Sequence, residues 1–123
     1  MTAADTLADP RIPFPDTDRP LACRRNPEWF RHDPYDPDPT ARATGDLEQA
    51  RKACGRCPIA RQCLLWALAH PELTRTDIWA ATTLQMRGAL RRRLTLRLGE
   101  DWVAQVAATE KARAQRARRT PAP

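Results

Sequence analysis

The sequence predicts an all-α fold: a small helical domain organised around a four-cysteine site, with a basic C-terminal helix. Apolar residues recur at helical spacing in several stretches, and no stretch alternates apolar with polar residues as a half-buried strand would. The chain has 123 residues and four cysteines. Its Pro-rich start and charged end leave about 80 residues to bury apolar surface, and a core of that size needs a staple.

Eight of the twelve prolines fall between Pro10 and Pro39, and each removes a backbone donor, so this stretch is expected to be extended or turned. Residues 1–20 form a flexible N-terminal segment on this reading. Asn26 ahead of Pro27 predicts a single helical turn that presents Trp29 and Phe30 just after Cys23. Residues 32–44 then read as a polar loop rich in Pro and Asp.

Asp46-Leu47-Glu48-Gln49 resembles a capping box and predicts a helix over 47–54, with Leu47, Ala50 and Cys54 on its inner face. Pro58 suits a first helical position and Pro71 a stop, which predicts a helix over 58–70. Ile59, Cys63, Trp66 and Ala67 share one face of it, so Trp66 can shield a metal bound at Cys63. Residues 74–81 read as a turn. A helix over 83–98 follows, with Met86, Leu90, Leu94 and Leu98 along one stripe and Arg87, Arg91, Arg92 and Arg93 on its other sides. Gly99 stops it. Residues 100–119 open with two acids and close with bases, in agreement with a helix dipole. The organisation is thus a segment 1–20, a helical domain 21–98, and a basic helix and tail 99–123.

The net charge of +6 is a C-terminal property: residues 1–86 carry 11 Lys/Arg against 12 Asp/Glu, and residues 87–123 carry 10 against 3. A basic end on a neutral module points to an acidic partner such as nucleic acid. Arg outnumbers Lys 19 to 2, as a GC-rich coding sequence would give. No apolar run at the start suits a signal peptide or a membrane span, so a reducing cytoplasm is expected, where thiols bind metal rather than each other.

Cys54-x2-Cys57-x5-Cys63, preceded by Cys23, fits one four-thiolate site. Structural zinc and an iron-sulfur cluster both satisfy that spacing. Cys54-Gly55-Arg56-Cys57 also has the form of a redox dithiol, but a preceding strand and a βαβ context are missing. Inert buried thiols suit a loop of Gly and Arg poorly. His32 and His70 are expected to be solvated or capping residues outside the ligand set.

The order Cys23, Trp29-Phe30, an Asp/Pro-rich loop, the run from Ala53 to Leu68 with its three cysteines and Trp66, then Ile78-Trp79 and Arg87-Gly88-Ala89-Leu90-Arg91-Arg92-Arg93 resembles the WhiB-like transcription regulators of actinobacteria. The resemblance covers about residues 21–94. It implies that Cys23, Cys54, Cys57 and Cys63 hold a 4Fe-4S cluster, and that the protein binds the C-terminal domain of a sigma factor through Ile78 and Trp79. It further implies DNA contact by Arg91, Arg92 and Arg93, a response to nitric oxide or oxygen, and no catalysis. With that context Arg113, Arg116, Arg118 and Arg119 of the tail read as phosphate contacts, without a minor-groove Arg-Gly-Arg-Pro hook. The alternatives are a zinc-stapled DNA-binding module and a thiol-disulfide reductase acting in the apo form.

One departure stands out. The family's turn usually reads Gly, Ile or Val, Trp, Gly, Gly, and here it reads Asp77-Ile78-Trp79-Ala80-Ala81. Alanine resists positive φ, so the turn is expected either to take another shape or to concentrate the unusual conformation at Asp77.

Overall fold

Helices form where the apolar spacing predicts them in the computed structural model, which describes residues 9–35 and 46–119. A one-turn helix α1 spans Ala22–Arg25, and a 3-10 turn, Pro27–Phe30, follows it. Helix α2 is Asp46–Gly55, α3 is Ala60–Ala69, a second 3-10 turn covers Pro71–Leu73, α4 is Leu84–Leu98 and α5 is Trp102–Arg119. Among the described residues there is no strand, only an isolated bridge between Trp79 and Thr82, and the fold is all-α. The predicted loop lies outside the described residues from position 36 onward.

Local chemistry sets the helix ends. Pro58 and Ile59 make a turn rather than the first helical residues, and α3 closes its first bond from Cys63 N–H to Ile59 O at 2.8 Å. Pro71 opens a 3-10 turn in which the fixed φ of proline is at home. Thr83 caps α4 by accepting from Met86 N–H, and Gly99 ends it at φ 95°, a conformation costly for other residues.

Two apolar groups meet at the cysteines. Phe30, Ala50 and Ile78 are buried together, with Ala22, Trp29, Leu47, Ala53 and Cys54 packed around them, so the predicted inner face of α2 is the one used. Beside it Trp66 is stacked on His70 at 4.4 Å, meets Phe14 edge-on at 4.8 Å and lies 5.4 Å from Trp79.

Several expectations need correction. Arg87 is fully buried rather than on an outer side of α4, because its guanidinium is surrounded by backbone carbonyls of residues 74–82. Met86 is 41% exposed and leaves the predicted stripe, and Leu96, at 87%, also faces outward. His70 is not solvated, but it does take the capping role: it is the C-cap of α3, its N–H bonded to Ala67 O at 3.3 Å. It is buried, with Nδ1 2.7 Å from Trp66 O and Nε2 accepting from Asp9 N–H at 2.7 Å. The N-terminal segment packs from Asp9 onward: Ile12 and Leu21 are buried, and Arg11 bonds Asp101 at the start of α5. Trp102, buried at the first turn of α5, is a core residue that the sequence reading passed over.

Candidate metal centre

All four cysteines line one cavity of about 290 Å³. Cys54 sits in the last turn of α2, where a tight turn (Cys57 N–H to Cys54 O, 3.2 Å) brings Cys57 back beside it. Cys63 enters from the first turn of α3, and Cys23 from α1. Phe14, Pro15, Phe30, Ile78 and Trp79 supply apolar wall, and no thiol is in a disulfide. Cys23 is exposed and the other three are half-buried, so the cavity has one open side.

The turn opposite the thiols carries the most unusual backbone. Trp79 N–H bonds Thr82 O at 3.1 Å and Thr82 N–H bonds Trp79 O at 2.9 Å, while Ala80 and Ala81 between them have φ of 49° and 64°. Two positive φ values at the centre of a four-residue turn are the signature of type I′, which favours Asn and Gly. Asp77 also has positive φ, 69°. The expectation of Asp77 as the one unusual residue is therefore overturned: three positions take left-handed φ without any glycine.

That conformation has a chemical use. Burial pushes the Cys54 thiol up, while the backbone amides of Ala81 and Ala80 act in the opposite direction. Burial likewise pushes the Cys63 thiol up, to about 11, with the Ala80 amide again opposing. Amides that favour the thiolate form favour metal ligation, since the thiolate is the ligand.

The donor set fits an iron-sulfur cluster: four thiols from three helical elements and one loop, apolar walls, and amides toward sulfur. Among the described residues no three His, Cys, Asp or Glu side chains converge on the position of a single ion.

Of the other predicted site residues, Ile78 is 5% exposed and belongs to the core with Phe30 and Ala50, whereas Trp79 is half-buried against Trp66 and lines the cavity. Arg91 does not project to solvent. Its Nε donates to Leu68 O and its Nη2 to Ala67 O, both at 2.8 Å, so it adds a charged donor to the carbonyls at the end of α3. Arg92 and Arg93 are exposed, as are Arg97, Arg113, Arg116, Arg118 and Arg119. Arg113 Nε lies 3.8 Å from Glu110, which Arg61 holds at 2.7 Å, so α5 is tied to α3. Sequence reasoning missed Arg87 and the amides of Ala80 and Ala81; the unusual turn composition was the one available signal for the latter.

Among the described residues no helix is long and apolar enough to cross a membrane. A family model described as transcription factor WhiB matches residues 6–90. Comparison with curated proteins and comparison with solved structures give no match.

Proposed function

The chain belongs to the WhiB family of transcription factors, and we propose that it regulates transcription from the cytoplasm through a 4Fe-4S cluster held by Cys23, Cys54, Cys57 and Cys63. The observation that carries this reading is the single cavity that all four thiols line. When bound, such a cluster supplies reactivity toward nitric oxide and oxygen and a cross-link between its four ligands.

The chain's own residues do the rest. As a ligand, Cys23 would tie residues 21–30 to α2 and α3 across 30 intervening residues, beside the packing of Phe30 on Ala50 and Ile78. The amides of Ala80 and Ala81 favour thiolate at Cys54 and Cys63. Trp79, in the same turn and at the wall of the cysteine cavity, is the candidate anchor for a sigma factor; an aromatic side chain half-exposed over a packed base suits that role. Ile78 supports the anchor from the core rather than touching the partner. Loss of the ligated group would release the turn and residues 21–30 together, which couples the state of the thiols to the Trp79 surface.

DNA contact falls to Arg92 and Arg93 on α4 and to Arg113, Arg116, Arg118 and Arg119 on α5, with Arg97 added by its exposure. Arg91 is left out because its guanidinium is bonded within the fold. No catalytic step is assigned.

Purification without oxygen, followed by iron, sulfide and zinc analysis, tests the reading. About four iron and four sulfide per chain are expected of a cluster with four thiolate ligands. Colourless protein carrying one zinc would turn the assignment to a zinc-stapled DNA-binding module. Insulin reduction by the apo form would favour the reductase.

A further inference from the structure

Arg87 is fully buried, yet among the described residues it forms no ion pair. Its Nη1 donates to Thr82 O at 2.6 Å and to Thr82 Oγ1 at 3.2 Å. Its Nη2 reaches Thr74 O at 2.8 Å and Thr76 O and Asp77 O at 3.4 Å. Its Nε is buried with no hydrogen-bond partner. Carbonyl dipoles orient a guanidinium but do not neutralise it, and an uncompensated buried charge is strongly unfavourable. The arrangement calls for an anion nearby.

The bonding pattern indicates which one. Thr82 and Asp77, two of the residues whose carbonyls Arg87 grips, bracket the residues that face the thiols: Ile78, Trp79 and Ala80 line the cavity, and the Ala80 and Ala81 amides act on Cys54 and Cys63. Four thiolates give a 4Fe-4S centre a negative net charge, and the potentials of such centres depend on that charge and on hydrogen bonds to sulfur. Burial and then Arg91 push the Arg87 guanidinium down to about 10, whereas Asp77 first and then Cys63 pull in the other direction.

We propose that Arg87 is the buried counter-charge of the four-cysteine centre and the positioning residue of its turn, holding residues 77–82 against the thiols while its cation offsets the charge gathered there. The inference rests on the cluster reading given above. Thr83 and the first turn of α4 place Arg87 for this task, since Arg87 N–H bonds Thr83 O at 3.0 Å.

The test compares the full chain with Arg87→Lys and Arg87→Gln, all purified without oxygen. Iron and sulfide in the wild type are measured first; an iron-free wild type overturns the cluster reading and the counter-charge with it. In iron-loaded proteins a nearby cation favours the reduced, more negative centre, so Arg87→Gln should shift the midpoint potential to a more negative value. Arg87→Lys should stay near wild type despite lower stability, because it keeps the charge and loses the fork. Equal potentials in wild type and Arg87→Gln would overturn the counter-charge alone. Should neither variant fold, the wild type still decides: the Arg87 Nε–H resonance should move on reduction of the centre by more than that of exposed Arg93, and an unmoved signal overturns the proposal.

Discussion

Asp77 and His32 clasp each other through two hydrogen bonds. Asp77 N–H donates to His32 O at 2.6 Å, and His32 N–H donates to Asp77 Oδ1 at 3.1 Å. Ile78 N–H extends the pairing to Phe30 O at 2.8 Å. The segment that carries Cys23 is thereby fastened to the turn that carries Trp79, through backbone groups that no helix satisfies.

Asp77→Ala removes the side-chain acceptor and leaves an alanine at φ 69°. Losing a partly buried hydrogen bond and adding left-handed strain should together cost about 2–3 kcal/mol. Asp77→Gly loses the same bond but relieves the backbone, so its urea midpoint should lie between those of wild type and Asp77→Ala. Identical midpoints for the two variants would show that φ at position 77 carries no strain.

Ala80→Gly and Ala81→Gly act in the opposite sense. Left-handed φ costs an L-residue about 1–2 kcal/mol, and glycine returns about 0.4–1 kcal/mol of that through the entropy of the unfolded chain. A net gain of about 0.5 kcal/mol per site is expected, read as a raised urea midpoint at unchanged slope. A lowered midpoint in the double variant would mean that the alanine methyl groups contribute packing that outweighs the strain.

What the sequence made legible follows from where its information lay. The helices and the inner face Leu47, Ala50, Cys54 were readable because apolar spacing and caps are local signals. The four cysteines were readable because few chemistries use that spacing. Arg87 and Arg91 were misread as solvent-facing because a charged side chain on a helix is usually exposed; only the carbonyls of residues 67–82, assembled in three dimensions, give those guanidiniums a buried role. The positive φ of Ala80 and Ala81 was missed because alanine's local preference was allowed to decide, whereas hydrogen bonds to Thr82, His32 and Phe30 overrule it. Packing of residues 9–21 was invisible because isolated pairings such as Asp9 with His70 leave no periodic trace.

The apo protein should lose stability in alkali. Burial raises the folded-state Cys63 thiol to about 11 from an ordinary value of about 9, and Cys54 moves in the same direction. Between those values the unfolded chain releases protons that the folded chain retains, so unfolding is favoured as pH rises. The contribution is intact below pH 9 and disappears as pH passes through about 11. Denaturant midpoints of metal-free protein across that range check the sign, and a midpoint that rises with pH would contradict it. Ligated thiols hold no proton, so the loaded protein should not show this loss.

Arg91 separates structure from DNA binding. Its two 2.8 Å bonds cap the carbonyls of Ala67 and Leu68, and a cation at that end of α3 also suits the helix dipole. Arg91→Ala should therefore cost about 2 kcal/mol of stability while leaving the dependence of log DNA affinity on log salt unchanged. Arg92→Ala, Arg93→Ala and truncation after Glu110 should do the reverse, keeping the fold and reducing that slope by up to about 0.9 for each phosphate no longer neutralised. Because phosphate binding carries no base information, the weakening should be nearly equal for unrelated promoters, with and without a sigma factor. Trp79→Ala differs on both counts: it should weaken binding only when the sigma factor is present, and it should disturb the spectrum of the bound centre, since Trp79 lines the cysteine cavity. An unchanged slope in all three of the variants that remove exposed arginines would assign the basic surface to solvent and leave promoter binding to the sigma factor.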